Sequence, residues 1–300
     1  MARKGPAGPG GLIVIDKPAG LTSHDVVGRV RRIAGTRRVG HAGTLDPMAT
    51  GVLVLGVERA TRLLNHLVLT DKSYTATIRL GLATSTDDAE GEPLTGGDAS
   101  GLGRAAIEAG MAGLTGEIRQ RPSAVSAIKV NGQRAYDRVR AGEDVVLAER
   151  PVTVSRFELL ADPEYHDNYC DIPVEVDCSS GTYVRALARD LGERLGVGGH
   201  LTALRRTRVG PFTLDQALTL DALAELADPI TLPLPAALAA AMPTRALAED
   251  EARELSFGRP IVPAGIEGTY GGIGPSGEAV ALLAESDGRA RPVLGFTPAG

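Results

Sequence analysis

The segment that most constrains this chain is Gly40-His41-Ala42-Gly43-Thr44-Leu45-Asp46-Pro47-Met48-Ala49-Thr50-Gly51, which runs directly into Val52-Leu53-Val54-Leu55. The apolar run reads as a buried strand, as does the earlier run Gly11–Asp16. Between them lies a loop of small residues, whose backbone can approach a ligand closely. Pro47 fixes its own φ and biases Asp46 away from the helical region. A carboxylate on a constrained loop beside a core strand suits a nucleophile or a base. Asp-Pro is equally a turn starter, and the residues alone leave both readings open.

The rest of the chain alternates strand and helix signals. Lys17–Ser23 is a turn that leads into a helix, with Ser23 as its N-cap, Val26, Val27, Val30 and Ile33 at helical spacing and Gly35 at its end. Arg29, Arg31, Arg32, Arg37 and Arg38 line its exposed side and exit, a cationic approach to the His41–Asp46 loop. Glu58–Leu69 is expected to be helical with Leu63, Leu64 and Leu67 inward, and Ser73–Leu80 alternates as a strand should. Residues 82–100 are acidic, Gly-rich and aperiodic, which predicts a surface loop with Asp87 and Asp88 solvated rather than holding magnesium. Ala105–Leu114 is a helix that Gly110 and Gly113 weaken near its end.

Val152–Leu160 and Tyr169–Cys178 read as strands. A helix then buries Val184, Leu187, Leu191 and Leu195, with Tyr183 and Arg185 off that stripe at its N-terminal end, where anions are favoured. His200–Arg208 is a further strand. Leu214–Ala241 holds two or three short helices, and the Gly-rich remainder has strand candidates at Ala279–Ala284 and Pro292–Phe296. The expected class is α+β, a long mixed, mainly antiparallel sheet flanked by helices, with the active cleft across one face.

The net charge of −5 speaks against nucleic acid until its distribution is read. From Thr213 onward there are 12 acidic and 5 basic residues, which leaves a charge of +2 for residues 1–212. Residues 1–40 carry 8 basic and 2 acidic side chains, and Ile118–Arg140 carries 6 basic residues against Asp137 alone. Local basic faces matter more for phosphate binding than the sum over the chain. Cys170 and Cys178 are the only cysteines and read as reduced thiols rather than a disulfide framework. His24-Asp25 and His166 lack the further ligands that a metal site needs. No apolar run approaches the length of a membrane span, and the first residues lack the apolar core of a signal peptide, so the expectation is a cytoplasmic protein.

The run Gly40–Pro47, followed by Ala49–Leu53, resembles the catalytic loop of the TruB family of tRNA pseudouridine synthases, in which the Asp of Gly-Thr-Leu-Asp-Pro is essential. Other segments resemble further family motifs. Asp16–Ser23 is similar to the first motif, whose Lys-Pro pair, here Lys17-Pro18, sits behind the active site. Lys72-Ser73-Tyr74 is similar to the second, whose Tyr stacks on the target base. Ser179–Arg185 is similar to the third, whose Arg pairs with the catalytic Asp while Tyr183 lines the pocket. Leu204 falls at a pocket-lining position, and Pro122–Lys129 at the hallmark of an insertion that grips the RNA stem loop, with Lys129 among the binding residues. Ser123 and Val125 depart from the usual pattern there.

The resemblance implies a pseudouridine synthase fold: a tail at 1–10, a catalytic domain at 11–241 with the RNA-gripping insertion at about 118–150, and a small β-rich C-terminal domain of the PUA type at 242–300. It implies isomerisation of uridine 55 in the T-arm loop of tRNA by a monomer that needs no cofactor. Asp46 would act beside C1′, as nucleophile on the sugar or as base at C2′. Arg185 would hold Asp46, Tyr74 would stack under the uracil, and His41 would fill space vacated by the flipped bases. Two other classes stay open. A non-catalytic RNA-binding or RNA-remodelling protein of the same fold would be indifferent to Asp46→Asn, and a carboxylate hydrolase of small substrates would act without RNA and use a second acid.

Overall fold

A computed structural model of the chain describes residues 8, 10–123, 129–130, 133–134 and 148–297, without the side chains of 129–134. Most of the expected tail at 1–10 and much of the 118–150 insertion lie outside the described residues. Two compact units emerge, one of residues 1–47, 51–68 and 209–300, the other of residues 48–50 and 69–208.

In the first unit the strand Gly11–Lys17 runs antiparallel to Thr50–Val57, in register from Gly11↔Val57 to Lys17↔Gly51, and antiparallel to Leu232–Pro233 on its other edge. Leu12, Ile13, Ile15, Val52, Leu53, Val54 and Leu55 are all fully buried. Burial on both faces is why these strands read as continuous apolar runs instead of alternating. On one face Leu12, Val14, Val52 and Val54 meet Leu63, Leu64, Leu67, Phe212, Leu234 and Leu238. The single helix expected at Glu58–Leu69 is two short pieces, a 3-10 turn Glu58–Arg62 and the helix Leu64–Val68. Leu63 between them points its side chain into the same core.

The helix Ser23–Ile33 is capped by Thr22, not by Ser23 as expected. Thr22 and Asp25 form a capping box: Thr22 Oγ1 accepts from Asp25 N at 3.0 Å and Asp25 Oδ2 accepts from Thr22 N at 2.9 Å. This explains the His24-Asp25 pair, since Asp25 serves the helix end. It also frees Ser23 for another task.

The C-terminal part of this unit is a four-stranded sheet in the order Thr244–Ala246, Thr269–Ile273, Ala279–Ser286, Arg289–Gly295, parallel at the first pair and antiparallel at the other two. Ala279–Leu283 is buried throughout. Ala279 and Leu282 join the core just described, while Val280, Ala281 and Leu283 join a second cluster with Leu247, Leu255, Ile261 and Tyr270.

In the second unit the strands lie in the order Gly199–Val209, Lys72–Leu80, Cys170–Cys178, Arg150–Leu159, Gly116–Gln120. The last four pair antiparallel. Cys170–Cys178 alternates strictly between buried and half-buried residues, the mark of a strand with one face on the core. Both thiols are free and buried, and burial pushes each up to about 11. The helices Arg104–Ala112 and Val184–Arg194 cover the buried face. Gly110 has a packing reason: a Cβ there would lie 2.8 Å from Leu191 Cδ1. Gly192 is tighter still, since a Cβ would lie 2.2 Å from the main chain of Gly198 and Gly199.

Candidate active site

The residues expected to form the site fall in both units. In the first unit the strand Val39–His41 pairs antiparallel with Leu55–Val57, and Ala42 N–H continues the ladder to Val54 O at 2.9 Å. The chain then leaves the sheet through Gly43, whose φ of 89° excludes most side chains. Asp46 follows, half-buried, between two residues whose main chains are fixed. Ser23 Oγ accepts from Leu45 N at 2.8 Å and donates to Leu45 O at 3.1 Å. Pro47 O accepts from Gly20 N at 2.9 Å and from Lys17 Nζ at 3.2 Å. Lys17 is fully buried and also donates to Pro18 O at 2.9 Å and Leu21 O at 2.6 Å. A buried ammonium is tolerated only when hydrogen-bonded; here the acceptors belong to the two loops it ties together. His41 is half-buried at the start of the loop.

In the second unit Tyr74 lies opposite Val176 on the Lys72–Leu80 strand and is 7% exposed. Lys72, at the start of that strand, is buried and donates to Thr70 O at 2.7 Å. Burial, reinforced by nearby Arg206, draws its ammonium down to about 8, against opposing pulls from Cys178 and Asp71. Leu204 is buried on the Gly199–Val209 strand. Its neighbours Arg205 and Arg208 donate to Thr50 Oγ1 at 3.2 Å and to Ser73 Oγ at 2.9 Å, and Arg206 is almost wholly buried. Tyr183 stands at the N-cap position of the helix Val184–Arg194 without a side-chain cap, and Arg185 occupies its first turn. Lys129 lies in the two-residue strand Lys129–Val130, paired with Gln133–Arg134, and its side chain is outside the described residues.

The expectation for Asp87 and Asp88 needs correction. Both are buried, at 8% and 3% exposure, rather than solvated. Asp88 Oδ2 lies 3.1 Å from Arg185 Nη1, which also donates to Thr86 O at 2.9 Å. The other carboxylate oxygen, Oδ1, accepts from Glu90 N at 3.1 Å and from Thr86 Oγ1. Asp87 Oδ2 lies 3.1 Å from Arg189 Nη1, and Arg189 also grips Asp190 Oδ1 through Nε and Nη2. Burial raises the Asp87 and Asp190 carboxyls above the ordinary range, and Arg189 opposes this in both. The loop is therefore held by two arginines of one helix. Arg185, expected to lie off the buried stripe, is itself 4% exposed. Composition signalled a polar loop; only the burial of its partners 97 and 102 positions away reveals its role. Among the described residues no group of three or more His, Cys, Asp or Glu is placed to hold a metal ion.

Comparison with known proteins places the chain. The model of the TruB family pseudouridylate synthase N-terminal domain matches residues 31–184, and two C-terminal models, "tRNA pseudouridylate synthase B C-terminal domain" and "tRNA Pseudouridine synthase II, C terminal", match residues 185–231 and 242–297. A protein of Nocardia farcinica named tRNA pseudouridine synthase B is 62% identical over 97% of this chain and 94% of its own length. One of the same name from Arthrobacter sp. is 60% identical over 96% of this chain and 97% of its own. Among solved structures, a chain of a Cbf5-Nop10-Gar1 complex superposes with a TM-score of 0.74 at 28% identity, covering 96% of this chain and 85% of that one. A chain of an H/ACA RNP bound to a substrate RNA containing 2′-deoxyuridine superposes with a TM-score of 0.72 at 25% identity, covering 96% and 86%. The Asp46 loop, Tyr74 and Tyr183 all lie inside the N-terminal match, and the chain belongs to the TruB family of pseudouridylate synthases.

Proposed function

We propose that this chain isomerises uridine to pseudouridine at position 55 in the T-arm loop of tRNA, flipping the base and using Asp46 as the essential residue, without a cofactor. Family membership supports the coarser part, isomerisation of uridine in tRNA. The observation that carries the role of Asp46 is the fixing of the main chain on both sides of it, by Ser23 at Leu45 and by Lys17 and Gly20 at Pro47. A reacting carboxylate gains most when its position is settled before substrate arrives.

In the reaction the N1–C1′ bond breaks, the uracil turns, C5 bonds to C1′, the proton on C5 leaves and N1 takes one up. Atoms balance without a donor or oxidant. Asp46 acts beside C1′, as nucleophile on the sugar or as base at C2′, with Arg185 assigned to orient it. Tyr74 stacks under the uracil and is assigned to take the C5 proton. Tyr183 and Leu204 line the pocket, His41 occupies the space left by flipped bases, Lys17 supports the loop and Lys129 belongs to the grip on the stem. The exposed residues Arg29, Arg32, Arg37 and Arg38 supply phosphate contacts with steep salt dependence. The catalytic domain is assigned to 11–241 and the C-terminal domain to 242–300, and the enzyme acts as a monomer in the cytoplasm. Among the described residues no helix is long and apolar enough to cross a membrane.

The deciding experiment is tritium release from a T-arm hairpin carrying 5-tritiated uridine. Wild-type chain is expected to release tritium and Asp46→Asn to release none, with hairpin affinity preserved. Release unchanged in Asp46→Asn overturns the assignment in favour of another catalytic group, and no release by wild type favours the RNA-binding alternative.

A further inference from the structure

Gln120 and Arg150 stand near the two ends of the stretch read as the RNA grip, and both bear on Tyr183. Gln120, the last residue of the Gly116–Gln120 strand, is fully buried. Its Nε2 donates to Tyr183 O at 3.0 Å and its Oε1 accepts from Tyr183 N at 2.8 Å, so a single amide engages both main-chain polar groups of that residue. Arg150 is the Cα partner of Gln120 across the strand pair. Its guanidinium lies over the Tyr183 ring, Cζ 4.8 Å from the centroid, and its Nη2 donates to Gly181 O. From further along the same helix, Arg189 Nη2 donates to Arg121 O at 2.7 Å.

Capping a helix needs only one oxygen for an orphan N–H group. Here the backbone of the residue at the N-cap position is held on both polar groups by the Gln120 side chain and its ring is additionally covered by a cation, an arrangement that fixes the plane of the ring. The geometry points to Gln120 and Arg150 as positioning residues that set the Tyr183 ring against the bound nucleoside. The inference rests on the proposed function, in which Tyr183 lines the pocket. Neither residue touches substrate in this assignment; each acts through Tyr183. Gln120 and Arg150, which flank that stretch, thereby share Tyr183 as their partner.

The test uses the full chain and the tritiated hairpin, with single-turnover rate and filter-binding affinity measured separately. Arg150→Met is expected to lower the rate about tenfold while affinity stays within about twofold, since a small misplacement acts on the chemical step. Arg150→Lys is expected to recover part of the loss. In a Tyr183→Leu background Arg150→Met is expected to change the rate by less than about twofold, because the two act in series. Gln120→Glu keeps the acceptor for Tyr183 N but sets an oxygen against Tyr183 O. It is expected to lower the rate in the same way, and it carries the test should Arg150→Met not fold. Equal rate losses with and without the Tyr183 ring, a loss wholly in affinity, or no loss in either variant overturns the inference. A wild-type chain that releases no tritium overturns the functional reading and this inference together; an active wild type unmoved by the variants overturns this inference alone.

Discussion

Arg185 and Asp88, 97 positions apart in the chain, form an ion pair of 3.1 Å with each side chain only 5% exposed. Desolvation makes such a pair a poor source of net stability, yet removing one partner leaves an uncompensated buried charge. Asp88→Ala is expected to lower unfolding stability by about 3–5 kcal/mol, read from urea midpoints. Asp88→Asn retains the acceptor for Glu90 N and Thr86 Oγ1 and is expected to cost less. Because the variant also loosens Arg185, tritium release is expected to fall further than the unfolded fraction accounts for.

Lys72 gives a pH signature. Its ammonium titrates at about 8 in the fold against 10.5 in the unfolded chain, so between those values the unfolded state holds a proton that the folded state has released. Stability contributed at this site therefore rises with pH across that window. The excess stability of wild type over Lys72→Met is expected to grow between about pH 7.5 and about pH 10, measured by urea titration. The two buried thiols, raised to about 11, act in the opposite direction in both proteins; the Cys170 thiol cancels in the difference, and the Cys178 thiol, which Lys72 lowers, does not. A difference that stays flat with pH counts against the shifted lysine.

The support beneath Asp46 is open to direct test. Ser23→Ala leaves the Leu45 N–H and C=O without their buried partner, an expected cost of about 1–3 kcal/mol. Single-turnover tritium release is expected to fall about tenfold while hairpin affinity holds, since the substitution acts on placement and not on contact with RNA. An equal loss in affinity would show that the loop binds rather than positions.

Two glycines are expected to respond with opposite sign. Gly192→Ala drives a Cβ to 2.2 Å from the main chain of Gly198 and Gly199, which cannot yield as a side chain would. Thermal unfolding is expected to show a loss of about 1–3 kcal/mol or more. Gly28 lies inside the helix Ser23–Ile33 with open space around it. Gly28→Ala is expected to add about 0.5–1 kcal/mol by lowering the entropy of the unfolded chain.

What could be read in advance followed from periodicity and local chemistry. The continuous runs at Gly11–Lys17 and Thr50–Val57 and the alternation at Lys72–Leu80 are strands because burial pattern is written in successive residues. The sequence places the cap one residue late because Ser23 and Thr22 are equally good caps locally. Ser23 is drawn away by Leu45, 22 positions on, which no local rule contains. The burial of Asp87 and Asp88 is hidden from local rules for the same reason. Carboxylates in a Thr- and Gly-rich loop look solvated until the arginines that bury them are brought alongside. The positioning roles of Gln120 and Arg150 are likewise written only in three dimensions, as is the packing demand for Gly110.

Ala279–Leu283 has no free side: one flank completes the cluster around Leu234 and Leu238, the other closes over Tyr270. A chain cut before Pro243 would thus lose Ala279, Leu282 and Phe296 from the wall behind the Gly11–Lys17 strand and strip the greasy flank of the helix Leu234–Ala241 bare. The last segment is in this sense a keystone for the scaffold that carries Lys17, and shortened versions should be sought among aggregates before they are sought among soluble, slower catalysts.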